Sequence, residues 1–201
     1  MTQAKPRFAT FKEYLSFQDE HEEADCRYEL INGELVALPP ESRLNAFIAN
    51  RLFFFLINAG VSLELLYPHQ CEVQVPVLQP GDAQNRYPDL VLLREEHLAL
   101  TTRRLTITLE MPPPAWIVEV VSPGSVNHNR DYIYKLAQYA AIGVEEYWIV
   151  DPQEQVVQVY HLLPSGYEEV GAFREDEAIA SPLFAAFPLN LTANAILGES
   201  A

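Results

Sequence analysis

The chain has 201 residues, of which 49% are hydrophobic and 20% charged, a composition typical of a globular protein with a sizeable core. Its formal net charge of −15 argues against tight, nonspecific binding of nucleic acid by an isolated monomer. It contains no apolar run of about 18 residues, the length of a membrane span, and its N-terminus lacks a signal-peptide pattern. We expect a single cytoplasmic domain over residues 1–201, with Cys26 and Cys71 as reduced thiols.

The first half of the chain predicts two helices and a β-ribbon. In chain order, the predicted elements are a helix from about Thr10 to Glu23, strands Tyr28 to Ile31 and Glu34 to Leu38, a helix from about Leu44 to Ala59, and strands Cys71 to Leu78 and Asp89 to Leu93. Asn32-Gly33, between the first two strands, is the strongest short hairpin signal. Ser42 is the predicted N-cap of the second helix, whose apolar stripe is expected to pack on a sheet.

The second half predicts a strand, helix, strand unit. In chain order, the predicted elements are strand Ala115 to Ser122, a helix from about Asn127 to Ile142, strands Glu146 to Asp151 and Val156 to Leu162, a hairpin at Pro164-Ser165-Gly166, and a closing edge strand from Pro182 to Leu191. Asn127 is the predicted N-cap of the helix, and Gly143 stands at its C-terminal stop. The unit implies a right-handed crossover between parallel strands inside a mixed sheet, so the predicted class is α/β.

Two carboxylates interrupt the most apolar strands. Asp89 opens one strand, and Glu119 lies inside the run Trp116 to Val121. A carboxylate is costly to desolvate there, and two close anions need a cation to stay ionised. Neighbouring strands would bring Asp89 and Glu119 together as oxygen ligands for Mg²⁺ or Mn²⁺, with the Val120 carbonyl as a third ligand. Such a metal activates water and stabilises the charge that develops in phosphodiester hydrolysis.

These carboxylates belong to an ordered set of motifs. In chain order, the set is Tyr28-Glu29-Leu30-Ile31-Asn32-Gly33-Glu34-Leu35, Pro88-Asp89, Glu119-Val120-Val121-Ser122-Pro123, Asp131, Lys135, Tyr139, Gly143-Val144 and Glu146-Tyr147-Trp148-Ile149-Val150-Asp151-Pro152. Over about Arg27 to Leu191, the chain resembles the Uma-two family of bacterial restriction endonucleases, within the PD-(D/E)XK nuclease superfamily. The resemblance implies a restriction endonuclease-like core, with a mixed β-sheet flanked by helices and an N-terminal β-ribbon. It also implies a metal-dependent endonuclease that hydrolyses DNA.

The resemblance further implies roles for individual residues. Asp89 and Glu119 become metal ligands, and Glu29 resembles a further acidic position at the same cleft. The lysine that positions the attacking water usually lies two residues after the glutamate, where this chain has Val121. Lys135, on the following helix, is therefore the candidate. Relatives often carry a histidine where this chain has Asn45, so any proton-transfer role of that histidine is missing here.

Each predicted site residue also has a purely structural interpretation. Asp89 suits a turn at the start of a strand. Glu119 alternates with valines and fits the solvent side of a half-exposed sheet, and Glu29 fits the polar side of the ribbon. Asp131 and Lys135, four residues apart, fit an ordinary stabilising helix pair.

Helix phase leaves two orientations open for Lys135. If Ile133, Leu136, Ala137 and Ala140 form the buried stripe, Lys135 points away from the sheet. If Tyr132, Leu136 and Tyr139 form the stripe, Lys135 lies at its edge and its long side chain can reach a cleft beside Glu119.

The net charge and three consecutive phenylalanines, Phe53 to Phe55, bear on partners. DNA is the expected substrate despite the charge, which requires a local basic groove built across a homodimer. Three successive apolar residues exceed one helix face, so some of them are expected at a partner interface, although a helix buried on most of its sides explains them as well. The alternative is a non-catalytic protein-interaction module that keeps the nuclease fold, which the charge and Val121 favour. No membrane association is expected. The sequence suggests no role for the histidines at four scattered positions, His69, His97, His128 and His161.

Overall fold

A computed structural model describes residues 6–20, without the side chains of residues 18–20, and residues 27–198. The helices are α1 (Phe11–Glu20), α2 (Arg43–Asn58), α3 (Glu95–Leu100), α4 (Ser125–Asn129), α5 (Leu136–Ile142) and α6 (Ala193–Leu197), with a 3₁₀ turn at Leu63–Leu65 and a π-helical turn at Arg130–Lys135 between α4 and α5. The strands are β1 (Tyr28–Ile31), β2 (Glu34–Ala37), β3 (Leu66–Pro68), β4 (Glu72–Gln74), β5 (Asn85–Arg86), β6 (Leu90–Leu92), β7 (Thr106–Ile107), β8 (Trp116–Val120), β9 (Glu146–Asp151), β10 (Val156–Leu163) and β11 (Gly166–Phe173).

The centre of the fold is a six-stranded mixed sheet in the order β11-β10-β9-β8-β6-β3. Strands β8 and β9 are parallel, and every other neighbouring pair in this sheet is antiparallel. The helical segment from α4 to α5 makes the crossover that a parallel pair requires. Strands β1 and β2 form a separate ribbon, and β5-β4-β7 a small third sheet. The predicted α/β class, with a mixed sheet, flanking helices and an N-terminal ribbon, is confirmed.

Strand β8 is buried on both faces. Its residues Trp116 and Val118 pack in one apolar cluster with Leu52 of α2, whereas Ile117 packs in a second cluster with Tyr139 of α5. Side chains alternate along a strand, so Glu119 points towards the α5 side. It is 2% exposed, and the interpretation of Glu119 as a solvent-facing residue is therefore wrong.

The predicted closing edge strand from Pro182 to Leu191 is wrong. The structure describes this whole segment, and it contains no strand there but a series of turns. Phe184 and Leu191 enter the core separately instead of alternating along one face. The buried Glu146 carboxylate accepts a hydrogen bond from the Leu183 N–H at 3.0 Å, which ties the turns to the sheet. Prolines without an N–H also disfavour a strand here.

The crossover helix begins earlier than its predicted N-cap. Ser125 is the first helical residue, and Gly124 occupies the N-cap position with a positive φ of 106°. Asn127 lies inside the first turn, where its side-chain N–H donates to the Pro123 carbonyl at 2.7 Å. The predicted strand from Cys71 to Leu78 is likewise shorter, since β4 spans Glu72–Gln74.

Two earlier expectations concern parts of the chain that the structure describes only in part. Cys71 is buried and unpaired, whereas Cys26 and the predicted end of the first helix at Glu23 lie outside the described residues. Within the described ranges, none of the helices combines the length and the apolar character needed to span a membrane.

The hairpin at Asn32-Gly33 turns through two residues with positive φ, 51° and 80°, as a two-residue ribbon turn requires. A Cβ atom added at Gly33 would lie 2.7 Å from the Phe8 carbonyl oxygen. The Phe8 N–H in turn donates to the Gly33 carbonyl at 2.9 Å. The ribbon turn therefore also anchors the segment that leads into α1.

We expect Gly33→Ala to lower the free energy of unfolding by more than about 2 kcal/mol, because it adds a backbone clash to the left-handed strain of about 1–2 kcal/mol. Gly81→Ala is the matched control, since Gly81 also has a positive φ, of 92°, but its added Cβ would meet no atom within 4 Å. Urea unfolding followed by tryptophan fluorescence measures both. Equal losses in the two variants would contradict the role of the Phe8 contact.

Candidate active site

A cleft of about 230 Å³ opens where the ribbon, the start of α2 and the ends of β6 and β8 meet the π-helical turn. All the residues singled out from the sequence as catalytic or metal-binding line it: Glu29, Asp89, Glu119, Val120 and Lys135. The fold thus brings together side chains that are far apart in the chain. Their chemical roles stay predictions.

Asp89 binds the neighbouring strand through backbone and side chain. Its N–H donates to the Val118 carbonyl at 3.1 Å, and its Oδ2 accepts the Val120 N–H at 2.6 Å. The side chain is 7% exposed. Asp89 is therefore hydrogen-bonded to the residues of β8 on both sides of Glu119. The orientation of the Asp89 side chain is set by the sheet rather than by a local turn.

Glu119 is held by two donors from the crossover helix. Its Oε1 accepts the Tyr139 hydroxyl at 2.6 Å, and its Oε2 lies 2.7 Å from Lys135 Nζ. Lys135 Nζ also lies 2.9 Å from Asp131 Oδ1, and Arg130 Nε lies 3.1 Å from the same oxygen. The helix thus presents an alternating series of buried charges to the strand.

The π-helical turn settles the orientation that helix phase left open. Ile133 is 54% exposed, whereas Tyr139 is fully buried and Tyr132 packs against the same cluster. The stripe of Tyr132, Leu136 and Tyr139 therefore faces the sheet, and Lys135 is buried beside Glu119. Wider helical turns of this kind occur frequently at functional sites.

Burial shifts the pKa values of this cluster. It raises the pKa of Glu119 from its ordinary 4.5 to about 7, and the Asp89 and Asp131 charges add to the rise, while Lys135 opposes it. Burial alone would lower the pKa of Lys135, but the Asp131 and Glu119 carboxylates outweigh it and raise that pKa. Lys135 is therefore a cation at neutral pH. Because the pKa of Glu119 is raised on folding, stability falls as pH increases from about 4.5 to about 7.

Asn45 positions the Val120 carbonyl. Its side-chain amide donates to the Val120 oxygen at 3.1 Å and to Ser122 Oγ at 2.9 Å, while Ser42 Oγ caps α2 by accepting the Asn45 N–H at 3.0 Å. A carbonyl oxygen has two lone pairs, so the Val120 oxygen keeps one for a further ligand. The departure from the family's histidine thus leaves a residue that orders the cleft.

Glu29 enters the cleft with its charge already paired. Its Oε1 lies 3.0 Å from Arg86 Nη1, and both side chains are nearly buried. Arg86 Nε donates to Gln138 Oε1 at 2.9 Å, and Gln138 lies on α5. Glu29 is therefore linked through Arg86 to α5, the continuation of the π-helical turn that carries Lys135.

His69 has no role that its sequence context predicts, but the fold brings it to Asp89. His69 Nδ1 lies 3.3 Å from Asp89 Oδ1. Ligand atoms of Glu41, His69 and Asp89 all lie within 4.8 Å of one another. The signal was missed because His69 directly follows β3, and only the pairing of β3 with β6 makes it a neighbour of Asp89.

The donor set of the cleft fits a hard divalent cation. Among the described residues, four carboxylates line it, from Glu29, Glu41, Asp89 and Glu119, and two cationic side chains, from Arg130 and Lys135. Arg86 pairs with Glu29 from outside the lining, so the excess negative charge comes from Glu41, Asp89 and Glu119. Buried oxygen donors with excess negative charge are the ligands that Mg²⁺ and Mn²⁺ prefer.

Comparisons with known proteins identify the family and the fold. A family model described as "Putative restriction endonuclease" matches residues 11–193, which confirms the family resemblance. No curated protein matches the chain. The fold is similar to the crystal structure of a putative nuclease from Anabaena variabilis, with a TM-score of 0.64 and 18% sequence identity, covering 94% of this chain and 98% of that one. At this identity the likeness shows the fold alone, and it confirms the nuclease-like class.

We expect Lys135→Met to lower the free energy of unfolding at pH 8 by about 3–5 kcal/mol, because it leaves the buried Glu119 carboxylate without a cation, whereas Asp131 keeps Arg130. Below the raised pKa of Glu119, about 7, the loss should shrink, since that carboxylate then takes up a proton. Urea unfolding at pH 8 and pH 5.5, with chelator present, measures the difference. Lys12→Met, on the exposed face of α1, is the control and should change stability by less than about 0.5 kcal/mol. A loss of that small size in Lys135→Met would contradict the prediction.

Proposed function

The chain belongs to the Uma-two family of putative restriction endonucleases, and on this premise we propose that it is a single-domain, metal-dependent endonuclease that hydrolyses phosphodiester bonds of DNA. One observation carries the proposal. Asp89, Glu119 and Lys135 line one cleft, with Lys135 Nζ 2.7 Å from Glu119 Oε2. This arrangement fits the superfamily's acid, acid, lysine set with the lysine supplied by the next helix.

In this proposal, Asp89, Glu119 and the Val120 carbonyl hold Mg²⁺ or Mn²⁺. When bound, the ion supplies positive charge at the phosphate and lowers the pKa of water. The side chains are prepared for it, since Asp89 Oδ2 is fixed by the Val120 N–H at 2.6 Å and the Val120 oxygen by Asn45 at 3.1 Å.

Lys135 then acts by donating hydrogen bonds. An ammonium group has three N–H donors, and Glu119 and Asp131 occupy two of them. The third has no partner assigned among the described residues and is suited to orient the attacking water. Because its carboxylate neighbours raise the pKa of Lys135, it stays protonated and orients water rather than removing its proton.

In this proposal, the cation also offsets the negative charge of the carboxylates in the cleft. A DNA phosphate that approaches Asp89 and Glu119 meets like charge, and the cation reverses its sign locally. Arg130 lines the cleft with 34% of its side chain exposed, and Arg43 is exposed at the start of α2 beside it. We assign both arginines to phosphate contacts that position the strand without reading its bases.

The test is cleavage of plasmid DNA with Mg²⁺ or Mn²⁺. We expect Asp89→Asn and Glu119→Gln to lose at least about 100-fold in rate while remaining folded by circular dichroism. Glu64→Gln, an exposed carboxylate far from the cleft, is the matched control and should keep full activity. If the folded wild type fails to cleave DNA both with Mg²⁺ and with Mn²⁺, the non-catalytic interaction module is favoured instead.

We further propose that two copies of the chain associate through α2. Three of its apolar residues lie on one stripe and are exposed, Leu44 by 49%, Phe47 by 50% and Phe54 by 63%. Exposed apolar stripes of this kind are typical of interfaces. Because α2 starts at the cleft, a second copy here would extend the surface offered to DNA.

We expect light scattering after gel filtration to give twice the mass of the chain. Phe54→Ser should shift the mass to that of one chain, because it removes the most exposed apolar side chain of the stripe. Val126→Ser, which changes an isolated valine that is 81% exposed, should leave the dimer intact. A monomeric wild type at tens of micromolar would rule the interface out.

A further inference from the structure

We infer that Asp89 serves a second cation position, completed by His69 and Glu41, which binds a transition metal ion such as Mn²⁺ through an imidazole nitrogen. The inference rests on the proposed function in one respect, namely that Asp89 is a metal ligand. It adds a nitrogen ligand that the ordered motifs do not contain, and with it a preference among metals.

The two oxygens of Asp89 face different partners. Oδ2 accepts the Val120 N–H at 2.6 Å and so turns towards β8 and the Glu119 side of the cleft. Oδ1 lies 3.3 Å from His69 Nδ1 and turns towards β3. The free lone pairs of one carboxylate can therefore serve two cation positions, one on each side.

His69 is held in place by its backbone. Its N–H donates to the Asp89 carbonyl at 3.0 Å, and its φ of 55° lies in the left-handed region, which is uncommon for a residue other than glycine. This conformation turns the imidazole back towards Asp89 instead of along the strand. The conformation costs free energy, which the pairing of β3 with β6 must offset.

The imidazole of His69 has no partner that explains its burial. Both ring nitrogens are buried, and neither makes a hydrogen bond to any residue that the structure describes. Nδ1 is close to Asp89 Oδ1 but lacks hydrogen-bond geometry. A buried polar group without a partner requires a physical explanation, and a bound metal ion is one of the established ones. Two facing carboxylates make a cation the suitable partner.

Arg27 supports both of the other ligands. Its Nη1 donates to the His69 carbonyl at 3.2 Å, and its Nη2 lies 3.4 Å from Glu41 Oε1. It therefore holds the loop that carries Glu41 against the end of β3. Side chains that orient metal ligands in this way tune affinity in metal sites.

The donor set points to a class of metal. An imidazole with two carboxylates suits Mn²⁺ and the later divalent transition metals, whereas Mg²⁺ prefers oxygen and water. The Glu119 side of Asp89 offers only oxygen ligands. The two positions should therefore differ in metal preference while sharing Asp89.

Mn²⁺ itself is the probe. We expect pulsed electron paramagnetic resonance of the wild type loaded with Mn²⁺ to show the nitrogen-14 modulation of a coordinated imidazole, and a titration to find two ions per chain. His69→Asn, which tolerates the left-handed backbone, should lose the modulation and one of the two ions. Glu41→Gln should lower the affinity for that Mn²⁺ ion about 10-fold or more. His128→Gln, which changes an exposed histidine on α4, is the control and should keep both.

Glu119→Gln separates this inference from the proposed function. It should lose the other ion and DNA cleavage but keep the nitrogen modulation. Mn²⁺ bound without nitrogen modulation in the wild type, or modulation that persists in His69→Asn, would overturn the inference while leaving the nuclease proposal intact. Nitrogen-coordinated Mn²⁺ in a wild type that cleaves no DNA would support the inference and overturn the nuclease proposal.

Discussion

The buried ammonium of Lys135, between the carboxylates of Glu119 and Asp131, is the interaction on which the cleft depends. Its Nζ lies 2.7 Å from Glu119 Oε2 and 2.9 Å from Asp131 Oδ1, and all three side chains are almost completely buried. Neither carboxylate could stay ionised in this position alone, because desolvation penalises an isolated buried charge heavily. The ammonium therefore fixes the rotation of the crossover helix relative to β8, and with it the shape of the cleft.

The register of the central sheet transmits this constraint to the other side chains. Leu90 pairs with Val118, which sets the Asp89 carboxylate against the Val120 N–H. A slip of one residue would turn Glu119 to the opposite face, away from the helix that neutralises it. Asn45 closes the arrangement from α2 by binding the Val120 carbonyl. Hydrogen bonds from Asp89 and Asn45 and the ion pair of Lys135 with Glu119 thus tie the elements around the cleft to β8.

Local patterns explain which parts of the fold are predictable from the sequence. Asn32-Gly33 and the alternating strands beside it specify the ribbon, because the turn depends on neighbouring residues alone. Glu119 is recognisable because a carboxylate in a buried strand is costly. His69 cannot be recognised in this way, since its proximity to Asp89 depends on the pairing of β3 with β6. The burial of the Lys135 side chain depends on the π-helical turn, which a helical periodicity of about 3.6 residues does not predict.

The net negative charge of the chain is consistent with the excess of carboxylates in the cleft. Four carboxylates line it against two cations, and the chain as a whole carries a formal charge of −15. Without a divalent ion, such a surface repels a phosphodiester. Under the proposed function, one or two bound ions would place positive charge on the same carboxylates, at the position where a phosphate would dock. Metal and nucleic acid would then bind with positive coupling, each raising the affinity for the other, because each relieves the repulsion that the other meets. On this reasoning the net charge does not count against a nuclease. Under the proposed function, the charge would restrict phosphate binding to the metal-loaded cleft and suppress the nonspecific contacts that a basic surface would make elsewhere.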